Sequence, residues 1–343
     1  MNSRNLIRAA LPVITCRSGL RHLVSRRYGG AGTIFMLHRI IDDDDKLAQG
    51  GLCCPVTQLV HALTWLREQD IDFIALDELP ERLQTRSRRP FAAFTFDDGY
   101  ADALTHALPI MERFGAPFTV YVPTGTITRE IDAWWLALAE LFNANDEVTF
   151  ESLEWSFRCH DRTGKSLAFE EVERAIHSDF SLLPEVKATI KRYGIECRAL
   201  VDRIALTSDG LRKLSQHPLV TIGGHGINHE NLLQRSADAV RWEMTSNRAF
   251  LETIIERPIM HFAYPFGTAR SCGEREAQIA RSVGFRTAVT TRHGSIFRKH
   301  LEHLHALPRE CITRDDSPDT MRCKLDGFYR AVQSFWGDPI AEM

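Results

Sequence analysis

Strand-like and helix-like runs alternate along most of this 343-residue chain, and this alternation limits the fold more than any other feature. The longer stretches between the strand-like runs carry the apolar spacing of helices, at 58–69, 101–114, 237–256 and 273–283. Strands that alternate with helices form parallel sheets, because a parallel crossover needs a long connection. The sequence therefore predicts an α/β protein built as a parallel barrel. The predicted strands are 33–37, 73–76, 91–96, 118–122, 220–222, 261–263, 285–289 and 307–312.

One stretch, about 126–207, is longer than a barrel connection needs. Its apolar spacing predicts helices at 133–142, 169–178, 183–193 and 198–204, with a loop at 154–165. Trp134 and Trp135 near its start could pack in an apolar helix or stack on a sugar ring. We expect a barrel over 29–315 that carries this mostly helical insertion, a basic helical extension at 1–28 and a C-terminal helix in 316–343.

Two adjacent acids end the apolar run at 91–96: Asp97 and Asp98, followed by Gly99. If this strand lies in the core, its two carboxylates need a cation, a proton or a ligand, because isolated buried charges are costly. A solvated turn is the alternative, since Asp-Gly is common in turns.

Two histidines, His225 and His229, follow another strand-like run at 219–222. Three glycines around His225 argue against a regular helix and favour a loop at the end of a strand. Barrels place their active sites at the carboxyl ends of their strands. The histidines and an acid of the Asp-Asp pair therefore form a two-His, one-carboxylate set, which suits catalytic zinc or another divalent first-row metal.

A third motif, Tyr264-Pro265-Phe266-Gly267, completes an ordered series with Thr95-Phe96-Asp97-Asp98-Gly99-Tyr100 and the two histidines. In this order the chain resembles the polysaccharide deacetylases, which are carbohydrate esterase family 4 or NodB-homology proteins and include chitooligosaccharide deacetylases. The resemblance covers about residues 30–315.

The resemblance implies an α/β fold with an irregular (β/α)7-type deacetylase barrel. It also implies metal-dependent hydrolytic N-deacetylation of an N-acetylated oligo- or polysaccharide, with release of acetate. Two alternatives remain: a non-catalytic carbohydrate-binding relative, and an amidase that acts on a small non-sugar amide.

By the same resemblance, Asp97 is the general base, and Asp98, His225 and His229 hold one divalent ion. Zinc is the first choice for this ion, with cobalt, manganese, iron or nickel as alternatives. The chemistry agrees with this division, because one acid can ligate the ion while its neighbour stays free to accept a proton.

Two positions depart from the family pattern: Gly226 replaces a serine or threonine, and Ala263 replaces an arginine that orients the base. We expect Arg309 to supply that guanidinium group from a neighbouring strand, since arginine pairs with carboxylates through two hydrogen bonds. A solvated surface arginine is the alternative.

The general acid has three candidates of similar standing. His303 matches the family's Leu-x-His spacing, His305 lies nearest the strand-like run at 307–312, and His38 ends the first strand. The residues predicted around the substrate and its oxyanion are Tyr264, Phe266 through its backbone N–H, Tyr100 and His38.

Composition and charge narrow the choice of partner. A net charge of −3 and an isoelectric point near 6.5 give no case for nucleic acid. The eight cysteines form no Cys-x-x-Cys pair, which predicts neither a zinc ribbon nor a disulfide framework and favours a reducing compartment.

The apolar stretches near the N-terminus are too interrupted for a signal peptide, so we expect a cytoplasmic protein. Its basic residues, at 5–27, either form a packed helix or rest on anionic lipid as a peripheral membrane contact.

Overall fold

The computed structural model describes residues 20–44, 52–85 and 89–341. Within these ranges the strands are short and most of them belong to one sheet. In chain order they are β1 (Gly32–Leu37), β2 (Arg39–Ile41), β3 (Cys53–Pro55), β4 (Asp72–Phe73), β5 (Phe91–Phe96), β6 (Phe118–Val122), β7 (Glu147–Phe150), β8 (Trp155–Arg158), β9 (Val220–Gly224), β10 (His261–Ala263), β11 (Thr287–Val289) and β12 (Glu310–Cys311).

The main sheet is parallel and curls into a barrel. Its order is β11-β10-β9-β6-β5-β1-β12, and β4 also pairs with β5. The segment that ends in β12 joins the two edges: the Leu307 N–H donates to the Ala288 carbonyl beside β11, at 3.0 Å, and the Ile312 N–H donates to the Met36 carbonyl of β1, also at 3.0 Å. The predicted α/β fold, an irregular (β/α)7-type barrel, is confirmed.

The sequence of β5 explains its central place. All six of its residues are buried, as expected for a parallel strand that is covered on both faces. Phe94 and Phe96 face the layer of helices, whereas Phe91 and Ala93 pack inside the barrel. Because side chains alternate along a strand, Asp97 continues the inner face and reaches the barrel's mouth.

The helices follow the predicted pattern closely. Ser236 caps the long helix after β9 by accepting a hydrogen bond from the Ala239 N–H at 3.3 Å. In chain order the helices are α1 (Leu20–Tyr28), α2 (Val56–Glu68), α3 (Leu79–Gln84), α4 (Leu108–Arg113), α5 (Thr124–Thr128), α6 (Trp134–Ala144), α7 (Arg162–Ser178), α8 (Leu183–Arg192), α9 (Cys197–Ile204), α10 (Ser208–Ser215), α11 (Ala237–Ile255), α12 (Glu274–Val283), α13 (Pro318–Leu325) and α14 (Phe328–Gln333).

The insertion contains α6 to α9 and has a core of its own, which includes both tryptophans. The loop predicted at 154–165 is wrong. Its first part is β8, which pairs antiparallel with β7, and its last part already belongs to α7. Asp161 caps that helix by accepting a hydrogen bond from the Gly164 N–H at 2.7 Å, so Gly164 lies in the first turn of the helix.

The two ends of the described chain pack on each other. Val24 and Tyr28 of α1 contact Phe328 of α14, and the Tyr28 hydroxyl group donates to the Gly337 carbonyl at 2.9 Å. Residues 1–19 lie outside the described residues, so the membrane contact predicted for the basic N-terminus stays a prediction. The described part of this N-terminal segment is α1, which packs on α14.

Instead of the single C-terminal helix predicted in 316–343, the structure has two short helices, α13 and α14. Gly327 separates them with φ = 72°, where an added Cβ would lie 2.1 Å from the Tyr28 carbonyl oxygen. None of the helices within the described residues is long and apolar enough to cross a membrane.

Candidate active site

Three ligand-type side chains meet at the carboxyl end of the sheet. Asp98 follows β5, and His225 and His229 follow β9. The Asp98 Oδ1 atom lies 3.5 Å from Nε2 of His225 and 3.6 Å from Nε2 of His229. One ligand atom from each residue fits within a mutual distance of 4.8 Å. Ligands about 2.0–2.1 Å from a tetrahedral zinc ion lie roughly 3.4 Å apart, so the spacing fits such an ion.

The hydrogen bonds around these three residues also fit a metal ion. Among the described residues, none hydrogen-bonds to the buried Oδ1 atom of Asp98. The Nδ1 atom of His225 lies 2.7 Å from the Ala263 carbonyl oxygen. Because a carbonyl can only accept, Nδ1 carries the proton and Nε2 presents its lone pair towards Asp98. An unsatisfied carboxylate oxygen beside an imidazole lone pair is the donor set of a divalent cation.

Tyr100 lies behind Asp98, where it orients the carboxylate. Its hydroxyl group donates to Asp98 Oδ2 at 3.0 Å and accepts from Trp135 Nε1 at 2.9 Å. Tyr100 was predicted beside the substrate, but the structure does not bring it to the cavity wall. Its side chain is buried against the insertion, and its hydrogen bond to Asp98 is its link to the site.

Asn247 of α11 fixes the loop that carries His225, and the sequence patterns did not single it out. Its Oδ1 atom accepts from the His225 N–H at 3.0 Å, and its Nδ2 group donates to the Val122 carbonyl and to Thr124 Oγ1, both at 3.0 Å. The available signal was a polar residue on the apolar face of a helix, in line with Met244 and Leu251.

Asp97 forms a buried ion pair with Arg309. The NH1 and NH2 groups of Arg309 each donate to one Asp97 oxygen at 2.7 Å, and NH1 also donates to Thr95 Oγ1 at 3.0 Å. The Arg309 Nε group donates to the Thr290 carbonyl at 2.8 Å, and the side chain is completely buried. The guanidinium group expected from Arg309 is therefore at Asp97, while Ala263 packs inside the barrel.

The electrostatic setting keeps both acids ionised. Burial raises the pKa of Asp97, but the charge and hydrogen bonds of Arg309 outweigh it, so this pKa lies below its ordinary value. Burial likewise raises the pKa of Asp98, but the net pKa lies well below the ordinary value because His225 and His229 stabilise the Asp98 carboxylate when their rings are protonated. Burial lowers the pKa of His229 to about 3, so this ring is neutral at neutral pH.

Backbone strain concentrates at the same place. Asp98, His229 and Phe266 have φ angles of 71°, 54° and 60°, in a region that side-chain-bearing residues rarely adopt. Such strain persists only where the surrounding structure fixes it, and it is common at functional sites.

The turn at Phe266 offers a free backbone donor. Thr291 Oγ1 donates to the Phe266 carbonyl at 2.7 Å, and the Gly267 N–H donates to the Pro265 carbonyl at 2.7 Å. The Phe266 N–H itself has no acceptor within the described part of the chain. The Phe266 ring lies 4.6 Å from that of His229, so this N–H belongs to the same site.

Tyr264 forms part of the cavity wall, but its hydroxyl group points elsewhere. It donates to the His305 carbonyl at 2.9 Å. The predicted substrate contact of Tyr264 is therefore limited to its buried ring.

The structure does not bring His303 and His305 to the site. The segment at 307–312 runs parallel to β1, so residues that precede it lie at the opposite, amino end of the barrel. The Nε2 atom of His305 accordingly lies 2.8 Å from the carbonyl oxygen of Phe285, which precedes β11. Of the three candidates for the general acid, only His38 lines the cavity.

A cavity of about 220 Å³ surrounds these groups. The barrel contributes Asp97, the three ligand-type residues and His38. The insertion contributes one wall: Trp134 and Trp135, for which sugar stacking was one of two predicted roles, together with Glu173 and His177, which the sequence patterns did not single out. The ring of Trp135 lies 4.7 Å from that of His229, so it packs on a ligand-type residue.

Comparison with known proteins agrees with this geometry. Residues 84–288 match the family model described as polysaccharide deacetylase. This match covers more than half of the chain, which therefore belongs to the polysaccharide deacetylase family. No curated protein sequence matches the chain.

Several solved structures share the fold. The Streptococcus pyogenes deacetylase PplD, solved with acetate, is 18% identical, with a TM-score of 0.57 over 86% of this chain and 97% of that one. IcaB from Ammonifex degensii is 15% identical, with a TM-score of 0.55 over 86% and 98%. The polysaccharide deacetylase BC0361 from Bacillus cereus is 12% identical, with a TM-score of 0.53 over 85% and 68%.

Proposed function

We propose that this protein is a metal-dependent hydrolase that removes acetyl groups from an N-acetylated sugar and releases acetate. The observation that carries this proposal is the placement of two adjacent acids in different roles within one cavity. Asp97 is paired with Arg309, while Asp98 faces two imidazoles with an unsatisfied oxygen. Metal-dependent hydrolysis of an amide uses a base and a cation site, and this dipeptide offers one acid for each.

Asp98, His225 and His229 would hold the ion, and zinc suits their geometry best. A bound divalent cation acidifies a water molecule and polarises the substrate's carbonyl group. Asp97 accepts the proton of the attacking water. Its carboxylate can do so while paired, because each oxygen keeps a lone pair beyond the one used by Arg309.

Two further groups act on the intermediate. The free N–H of Phe266 donates to the oxyanion that develops on the acetyl group, as a preorganised backbone donor. The departing amine requires a proton, and His38 is our candidate for the acid because it lines the cavity with both acids.

We propose that the protein acts in the cytoplasm.

As substrates we favour acetylated glucosamine oligomers. The cavity volume of about 220 Å³ lies below the roughly 300–1,000 Å³ of common ligand pockets, which suits one acetylated sugar unit at the reaction centre.

The direct test is an acetate-release assay on zinc-loaded protein with chito-oligosaccharides, peptidoglycan fragments and lipid-linked acetylated sugars. We expect acetate from at least one sugar class, in proportion to enzyme concentration. Release from small non-sugar amides alone would indicate an amidase. Metal binding without acetate release from any substrate would indicate a non-catalytic carbohydrate-binding relative.

A further inference from the structure

The insertion places two titratable side chains on the cavity wall. Glu173 and His177 are four residues apart in α7, so they lie on the same face of the helix. Neither belongs to the motifs that define the base, the metal ligands or the Phe266 turn. Both nevertheless border the same cavity as Asp97 and Asp98.

His177 fixes this face of α7 against the barrel. Its ring lies 5.2 Å from that of Phe266 in an edge-on contact and 6.0 Å from that of Phe180 in a stacked one. Burial lowers the pKa of His177 to about 4, so the ring is neutral at neutral pH. This aromatic contact sets the position of α7 relative to the catalytic turn, and with it the position of Glu173.

Glu173 lies at the cavity without a protein partner among the residues that the structure describes. Its side chain is partly buried at the cavity, and within the described ranges its carboxyl group has neither a hydrogen bond nor an ion pair. The carboxyl oxygens are not among the fully buried side-chain atoms that lack a partner, so they keep contact with the water of the cavity. A carboxyl group that borders a substrate cavity in this state is available to a ligand.

We propose that Glu173 is a substrate-binding residue, whose carboxyl group hydrogen-bonds a hydroxyl group of the sugar that packs beside Trp134. The inference rests on the proposed function and adds a specificity residue from the insertion to it. Sugar sites combine an apolar ring face with a few polar groups that fix the orientation. On this wall Trp134, which keeps 4% of its surface exposed, is an apolar group and Glu173 is a polar one.

The protonation of Glu173 agrees with a neutral hydroxyl partner. Burial, and to a smaller extent the nearby charge of Glu170, raises the pKa of Glu173 to about 7. The neutral acid is therefore well populated at neutral pH, and it can donate as well as accept.

The test compares Glu173→Ala, Glu173→Gln and the control Glu171→Ala, which lies on the exposed side of the same helix. With zinc-loaded enzyme and an N-acetylglucosamine tetramer, we expect Glu173→Ala to raise KM about three- to tenfold, with kcat within about twofold. Glu173→Gln should lose less, because an amide keeps the hydrogen bond. The control should match wild type, and all four proteins should carry equal zinc.

Binding of the tetramer provides a readout that does not depend on turnover. Calorimetry on the same variants in the Asp97→Asn background should show a matching three- to tenfold rise in Kd for Glu173→Ala. Absence of acetate release by wild type would reject the proposed function, whereas this Kd difference would still support the role of Glu173. The inference is overturned if Glu173→Ala binds like Glu171→Ala, if kcat falls while KM stays, or if Glu173→Gln is as weak as Glu173→Ala.

Discussion

At the residue scale, Asp97 has an arginine partner, although this arginine comes from a different part of the chain than the family pattern predicts. The family resemblance implied an arginine at position 263, where this chain has Ala263, and Arg309 reaches Asp97 from the segment beside β1. The interaction also fills the interior, since the guanidinium group lies 5.8 Å from the centre of the Tyr121 ring. Arg309 therefore contributes to the stability of the barrel and to the orientation of the base.

Replacing Arg309 should be costly for folding. Arg309→Met leaves Asp97 buried without its partner, and breaking a buried ion pair in this way costs about 3–5 kcal/mol. Urea unfolding of the metal-free protein measures the change, with Arg212→Met, at an exposed position of α10, as the control. A loss below about 1 kcal/mol for Arg309→Met would contradict the structural role of this pair.

The residues that support Asp98 should tune the metal affinity. Tyr100→Phe removes a donor to Asp98, and Trp135→Phe removes the donor that orients Tyr100. Loss of such supporting hydrogen bonds typically weakens metal binding 10- to 100-fold. Competition with a zinc chelator measures the affinity, and Trp134→Phe is the matched control. A zinc affinity equal to that of wild type in both Tyr100→Phe and Trp135→Phe would show that this hydrogen-bonded chain does not support the metal ligand.

The sequence could predict the ligand-type residues because they follow directly from apolar runs. Asp98, His225 and His229 are adjacent to strands that the pattern located, and parallel strands end at one face. The pattern marks Asn247 as a polar residue on an apolar helix face, but it does not show that Asn247 or Glu173 reaches the site, because the rotation and docking of their helices depend on tertiary packing.

At the element scale, the short strand β12 depends on side-chain contacts as well as on its ladder. Its Glu310 accepts from the Gly294 N–H at 3.1 Å and lies 2.8 Å from His293 Nδ1. The charge of Glu310 raises the pKa of His293, and burial only partly opposes it. The ion pair thereby ties the loop before β12 to the strand that closes the barrel.

This ion pair should make part of the stability depend on pH. A histidine whose pKa is raised in the folded state stabilises fully below its unfolded pKa of about 6.5, and this contribution disappears as the pH rises through the folded pKa. We expect the difference in unfolding free energy between wild type and His293→Gln to be largest near pH 6 and to decline above it. Urea unfolding at several pH values measures this, and a difference that does not change with pH would contradict the account.

Strands were predicted more accurately than connections. The runs at 91–96, 118–122 and 261–263 match β5, β6 and β10, because continuous apolar residues mark strands covered on both faces. The hairpin β7–β8 was missed, since its residues alternate between buried and exposed within a polar stretch. His303 fits the expected spacing and His305 lies nearest the segment at 307–312, but both precede this parallel segment and therefore lie at the amino end of the barrel, away from the cavity.

At the scale of the whole molecule, the insertion forms a wall of the active-site cavity as well as a separate core. Its contacts with the barrel include Trp135 on His229 and His177 on Phe266. Because this wall closes one side of the cavity, we expect a sugar chain to enter with one of its free ends.

We therefore expect short substrates to react faster than polymers. Acetylated glucosamine oligomers of a few units should release acetate at least about tenfold faster, per acetyl group, than insoluble chitin or intact peptidoglycan, because the wall restricts long chains. The control is a solubilised, partly acetylated polymer, which removes the effect of insolubility. Faster action on the polymers would show that the insertion leaves the cavity open.

The central claim is that Asp97 and Asp98 are adjacent in sequence and different in function, and one paired measurement tests it. Zinc content and acetate release are measured together for wild type, Asp97→Asn and Asp98→Asn. We predict that Asp97→Asn keeps about one zinc ion and loses at least about 100-fold in kcat, since general-base catalysis contributes roughly 10²–10⁴-fold. Asp98→Asn should lose both zinc and activity. Loss of zinc from Asp97→Asn with retention in Asp98→Asn, or equal zinc and activity in all three proteins, would contradict the account.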